Sequence, residues 1–136
     1  MPTTVMVRDE YRVETPDDIV RVRHEVKAKT QSLKFSVVNQ TKLITASSEL
    51  ARNMLLYAGR GVVIVEVISK DEKTGVRITF TDKGPGIEDI TLALTDGYTS
   101  GVGMGLGLGG SKRLVNEFEI DSQPGEGTTV KITRWV

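Results

Sequence analysis

The sequence predicts a two-layer α/β sandwich, in which a mixed, mostly antiparallel sheet carries helices on one face. Three observations carry that expectation. Period-two alternation marks strands toward both ends of the chain, two long stretches repeat at helical spacing, and short polar turns fold consecutive strands back on each other.

The elements follow in order. Val5, Val7, Tyr11 and Val13 stand at odd positions with Arg8, Glu10 and Arg12 between them, which predicts a first strand. Thr15-Pro16-Asp17-Asp18 then supplies a capping hydroxyl, a proline at the first helical position and an acidic residue three after the cap. Ile19, Val22, Val26, Thr30 and Leu33 continue at helical spacing, giving a first helix over about 16–33. Ser36 caps a second, longer helix with Phe35 as its staple, and Gly59 ends it after Tyr57-Ala58. The β-branched run Val62 to Ile68 and the alternating Val76, Ile78 and Phe80, joined by the polar turn Lys70 to Gly75, predict a hairpin at the sheet centre. After Asp82-Lys83-Gly84-Pro85-Gly86, a short helical piece from Ile87 to Leu94 leads into a glycine cluster. Ser111 to Phe118 reads as a third main helix, and Glu119 to Ser122, the turn Gln123 to Gly127, and Thr128 to Val136 close a final hairpin. With no repeat, linker or low-complexity tail, one domain is expected over residues 1–136.

Composition removes several function classes. Lys plus Arg and Asp plus Glu are both 18, so bulk charge gathers neither nucleic acid nor anionic membrane. Cysteine is absent, which excludes disulfides, thiolate nucleophiles and cysteine-held metal sites. No uninterrupted apolar run approaches the roughly 18 residues that span a bilayer, and a cytoplasmic location is expected. The single histidine, His24, reads as a surface helix residue and Trp135 as a strand residue packed on the sheet. Tyr57 and Tyr98 are too few to form a stacking platform for nucleic acid.

Three segments carry candidate chemistry. On the second helix Glu49 and Asn53 lie four apart, about 40° from each other in projection. The Asn53 amide oxygen suits Mg²⁺, which prefers oxygen and keeps waters and phosphate oxygens, and Glu49 can take a proton from a hydroxyl. Taken alone, the same residues with Arg52 read first as a solvated helix face. Asp82 ends a buried strand beside Gly84-Pro85-Gly86. Its carboxylate can accept from an exocyclic amine such as adenine N6, while the two glycines let a flat base approach the backbone. Ordinary turn chemistry gives the same pattern. The run Gly101 to Gly110 precedes the third helix, so that backbone N–H groups and a helix start can cradle phosphate. It lacks the P-loop spacing, and no strand and βαβ unit surround it as a dinucleotide fingerprint requires.

Together, Ser48-Glu49-Leu50-Ala51-Arg52-Asn53, Asp82-Lys83-Gly84-Pro85-Gly86, Gly103-Met104-Gly105-Leu106-Gly107 and Gly125-Glu126-Gly127-Thr128 resemble the four nucleotide-site boxes of the GHKL (Bergerat-fold) ATPases. Within that superfamily the chain resembles the anti-sigma-factor serine/threonine kinases, and is similar to the RsbT-type switch kinases of the bacterial stressosome over about Thr15 to Trp135. The resemblance implies ATP and Mg²⁺ as cofactors. It implies that Asn53 coordinates the Mg²⁺, that Glu49 is the general base for a protein serine or threonine hydroxyl, and that Asp82 holds the adenine amine with help from Thr128. It places Gly84 and Gly86 beneath the base, and Gly103, Gly105 and Gly107 around the phosphates on a short lid of about Thr95 to Gly105. The implied partners are a small STAS-domain substrate protein and a PP2C-type phosphatase activated after partner switching. Unlike some relatives, the segment Tyr98-Thr99-Ser100-Gly101-Val102 has no arginine, leaving Lys83, Lys112 or Arg113 to neutralise phosphate charge. Two other activities fit the same boxes: an anti-sigma factor kinase that binds a sigma factor directly, and a nucleotide-gated protein-binding module with vestigial catalysis.

Overall fold

Alternation in the first segment yields strand β1 (Thr4–Val13), followed by helices α1 (Pro16–Ser32) and α2 (Val37–Ala58). Strands β2 (Gly61–Lys70) and β3 (Lys73–Asp82) form the central hairpin, and helix α3 (Leu106–Arg113) leads to β4 (Glu117–Gln123) and β5 (Gly127–Trp135). The computed structural model of the chain describes residues 2–87, 94 and 106–136. Residues 88–93 of the sequence-predicted helical piece from Ile87 to Leu94, the lid segment, and Gly101, Gly103 and Gly105 of the glycine cluster lie outside them.

The strand order is β1-β2-β3-β5-β4. The sequence reading allowed a mixed sheet, whereas all four described pairings are antiparallel. The reason lies in the connections. Two helices in succession return the chain to the end of the sheet where β1 finished, so β2 runs against β1. The crossover through α3 sends β4 in the direction of β3, but β5 lies between them.

One face of the sheet meets the helices. Val63, Val65, Ile78, Phe80, Val130 and Ile132 project from it onto Val22, Val26, Leu43, Leu50 and Met54, all nearly or fully buried. Side chains alternate, so the opposite face takes the intervening residues, and the register aligns Arg8, Glu66, Arg77, Thr133 and Glu117 across all five strands. Arg77 Nε donates to Glu66 Oε1 at 2.9 Å within that row. Trp135 packs over Gly75 as its neighbour in register, and its indole N–H donates to Glu117 at 2.7 Å. His24 is exposed on α1, as its sequence context predicts.

Local signals set both long helices. Asp18 Oδ2 accepts the backbone N–H groups of Glu14 and Thr15 at 2.8 and 3.1 Å, closing the start of α1. Ser36 caps α2 through the Asn39 N–H, and Gly59 ends it with φ of 78°. Lys29 then joins α1 to β1 through Asp9, 2.6 Å away. Tyr11 donates to Glu25 at 3.0 Å, and burial together with that carboxylate raises its phenol well above the ordinary range.

The third helix departs from the sequence reading at both ends. It begins at Leu106 instead of Ser111, because Leu108 and Ser111 bury against α2 and that packing outweighs the glycine penalty of about 1 kcal/mol per residue. It stops at Arg113 instead of Phe118, because Phe118 and Ile120 face inward at period two and pair with Ile132 and Val130.

Two predictions follow from this geometry. A Cβ at Gly110 meets nothing within 4 Å among the described residues, so Gly110→Ala is expected to stabilise α3 by about 0.5–1 kcal/mol in urea unfolding. Gly127 has φ of 115° and a Cβ there would strike the Asp82 carbonyl, so Gly127→Ala is expected to cost at least about 2 kcal/mol. A further prediction concerns pH. The backbone N–H of Glu14, with that of Thr15, holds the Asp18 carboxyl below its ordinary range. The stability it contributes is present above about pH 4 and lost as pH falls through the lowered value. Thermal unfolding should therefore separate the native chain from Asp18→Ala at about pH 7 and bring the two together at about pH 2.

Candidate functional site

Period two carries the core face of the sheet outward to a polar row. Asp82 lies two residues beyond Phe80, Thr128 two before Val130, and Ser122 two beyond Ile120, so all three face the helix side at one end of the sheet. Asp82 is opposite Thr128 in register, and Thr128 is opposite Ser122. On α2, Leu50, Asn53, Met54 and Tyr57 recur at helical spacing and close the other side of a pocket floored by Phe80 and Val130. Leu108 of α3 and the segment Pro85 to Ile87 complete its lining.

The polar atoms at this row are held before any ligand enters. Asp82 Oδ1 accepts the Gly84 N–H at 2.9 Å and the Thr128 N–H at 3.3 Å, leaving Oδ2 without a hydrogen bond among the described residues. Ser122 Oγ accepts the Ile87 N–H at 2.8 Å and donates to the Gly127 carbonyl at 3.1 Å. Its one proton is then committed, so in its 2.8 Å contact with Thr128 Oγ1 the threonine donates. The Thr128 oxygen keeps its lone pairs, and the pocket offers acceptors at two neighbouring residues.

Sequence-predicted residues divide into three groups. Asn53, Asp82, Gly86 and Thr128 converge on the pocket. Glu49 does not line it. It lies about 40° further round α2 from Asn53, 42% exposed, and accepts from Arg52 Nη1 at 2.8 Å. Gly84 is also absent from the lining, and its lack of a side chain has another cause: a Cβ there would come within 2.7 Å of the Ala58 Cβ at the end of α2. Gly86 does border the pocket, yet its φ of 76° and the close Gln123 backbone are what exclude a Cβ. Gly103 and Gly105 lie outside the described residues, and Gly107 falls in the first turn of α3. Lys83 lines one cleft with Arg12 and Arg60 and another with Ser122 and Thr128, neither of which includes Asn53.

The Asn53 amide bears on metal binding. Its Nδ2 is buried and has no hydrogen-bond partner among the described residues. Those residues also contain no cluster of three or more His, Cys, Asp or Glu that could hold an ion by itself. A single amide oxygen fits Mg²⁺ arriving with a triphosphate, which brings most of its own oxygen ligands. No described helix is long and apolar enough to cross a membrane.

Ser122 was not read from the sequence as a site residue, although its register opposite Thr128 in the last hairpin was a usable signal. Ser122→Ala leaves the half-buried Ile87 N–H and the Thr128 hydroxyl without their partner. A loss of about 1–3 kcal/mol in urea unfolding is expected.

The model of the histidine kinase-, DNA gyrase B-, and HSP90-like ATPase family matches residues 38–135. The chain is 42% identical over 125 residues to a Bacillus subtilis (strain 168) protein named serine/threonine-protein kinase RsbT, covering 92% of this chain and 94% of that one. It is 30% identical over 98 residues to the anti-sigma F factor of Caldanaerobacter subterraneus subsp. tengcongensis, covering 68% and 67%. A solved chain in the SiaB-SiaC complex from Pseudomonas aeruginosa has a TM-score of 0.58 at 11% identity, covering 97% of this chain and 91% of that chain, a likeness of fold alone. With its helix-backed antiparallel sheet and its Asp82, Thr128 and Asn53 on one pocket, the chain belongs to the histidine kinase-, DNA gyrase B-, and HSP90-like ATPase family.

Proposed function

We propose that this chain is a Mg·ATP-dependent protein serine/threonine kinase that phosphorylates a small STAS-domain protein and, on changing partners, activates a PP2C-type phosphatase. The convergence of Asn53, Asp82 and Thr128 on one apolar pocket is the observation that carries the reading. The relative named serine/threonine-protein kinase RsbT supports the reaction class.

Each residue has a defined task in this reading. Phe80, Met54 and Val130 exclude water from a purine and give it van der Waals contact. Asp82 Oδ2 accepts a proton of the 6-amino group, while its Oδ1 stays tied to the backbone. Asn53 would hold Mg²⁺ through its amide oxygen, the ion neutralising charge on the transferring phosphoryl. Arg52 fixes Oε1 of Glu49 and leaves Oε2 to take the proton from the attacking serine or threonine hydroxyl. Gly103, Gly105 and Gly107 would cradle the phosphates as the resemblance implies, the first two lying outside the described residues. Lys112, in the last turn of α3, is a candidate to neutralise phosphate charge where relatives use a lid arginine.

The test combines nucleotide titration with a transfer assay. Asp82→Asn presents an amide in place of the carboxylate and should weaken Mg·ATP binding by at least about tenfold in calorimetry. Glu49→Ala should bind nucleotide as the native chain does, yet transfer phosphate to a STAS-domain protein about 10²–10⁴-fold more slowly. Undiminished transfer by Glu49→Ala would refute its role as base. Direct binding of a sigma factor is a second reading, supported by the anti-sigma F factor relatives. Nucleotide-dependent capture of a sigma factor would favour it over phosphatase activation.

A further inference from the structure

Apart from the nucleotide pocket, α1 and α2 leave between them an open groove of about 590 Å³ that shares no lining residue with it. Arg23 and Lys27, four apart on α1, stand on one wall with His24 beside them. Val20, Val37 and Ile44 supply apolar surface, with Val20 50% and Val37 78% exposed. No carboxylate lines the groove, and neither Arg23 nor Lys27 has an ion-pair partner among the described residues.

The two helix starts differ in a way that adds to this charge. Asp17 and Asp18 occupy the first turn of α1, whereas the first turn of α2 has no acidic residue and carries Val37 and Val38. The first turn of α2 therefore adds no carboxylate to offset Arg23 and Lys27 across the groove. Exposed valines serve neither layer here. Their β-branched side chains are poorer helix formers than alanine, and they add nothing to the core.

We propose that this groove receives an amphipathic helix of a partner protein. Its aliphatic strip lies along Val20, Val37 and Ile44, and its acidic residues pass Arg23, Lys27 and the start of α2. Charge selects this occupant over a second copy of the chain. A two-fold contact through the same surface would set the basic wall of one copy against that of the other.

The experiment places a photo-crosslinking phenylalanine analogue at the exposed Thr41 position, in cells that naturally make the chain, and sequences the peptide captured. The expected adduct is a helical segment of a different protein in which Asp and Glu outnumber Lys and Arg. Its yield should fall at least about tenfold when Arg23→Glu and Lys27→Glu are combined. Val37→Asp separates docking from folding. An aspartate in the first turn of α2 favours the helix, so thermal stability should hold or rise while the crosslink falls by a similar factor. An adduct with a second copy, a neutral or basic segment, a yield indifferent to these charges, or no adduct overturns the proposal. Mg·ATP titration of the same variants reports the pocket independently, so failure of the groove and failure of the kinase reading give different results.

Discussion

Asp82 Oδ1 accepts N–H groups from Gly84, two residues on, and from Thr128, 46 residues on, and thereby fixes the loop leaving β3 against the start of β5. The acceptors that the sheet contributes to the pocket depend on that junction. Because one carboxylate oxygen is occupied by the backbone, the other is aimed by it. Gly127 makes the approach possible, since any side chain there would collide with the Asp82 carbonyl. Ser122 secures the far side, joining Ile87, Gly127 and Thr128 through one buried hydroxyl. The site's acceptors are thus ordered on folding, and a ligand that matches them meets little further entropy cost.

Helix α2 connects this end of the sheet to the rest of the molecule. Its buried stripe includes Leu43, Ala46, Leu50 and Met54, the same stripe that closes the pocket, so core packing and site geometry are set by one rigid element. Asn53 sits at the edge of that stripe and Glu49 just beyond it. The amide nitrogen is therefore buried and without a hydrogen-bond partner among the described residues, while the carboxylate is half-exposed and oriented by Arg52. A buried amide without a partner is costly in a finished core and reasonable at a site completed by a ligand. Glu49 lies outside the pocket lining and stays open to solvent.

The two faces of the sheet divide the remaining work. The helix face is aliphatic and dry, whereas the open face carries the Glu66–Arg77 pair within a row of charged and hydroxyl side chains. That row sets a band of charge on the uncovered face beside Ile64, Ile68 and Trp135. The groove between α1 and α2 lies outside the helix layer and gives the chain a second recognition surface, so nucleotide and partner need not compete for the same residues.

Much of this was legible from residue spacing. Ser36 and Gly59 delimit α2, Thr15 to Asp18 start α1, and period two places Asp82 and Thr128 on the core side, because caps and periodicity are fixed by residues within a turn or two. The extent of α3 was not. Glycine-rich local sequence argues against a helix at Leu106, and only burial of Leu108 and Ser111 against α2 reverses that preference. Likewise, the contact of Gly84 with Ala58, the tie from Ser122 to Ile87 and the grip of Arg52 on Glu49 depend on register, close approach and rotamer, none of which periodicity encodes. The sequence by itself determined which elements form and which faces they bury. Tertiary structure alone decided which polar atoms are already satisfied and which remain open to a ligand, because hydrogen bonds between distant segments exist only once the sheet and helices have docked.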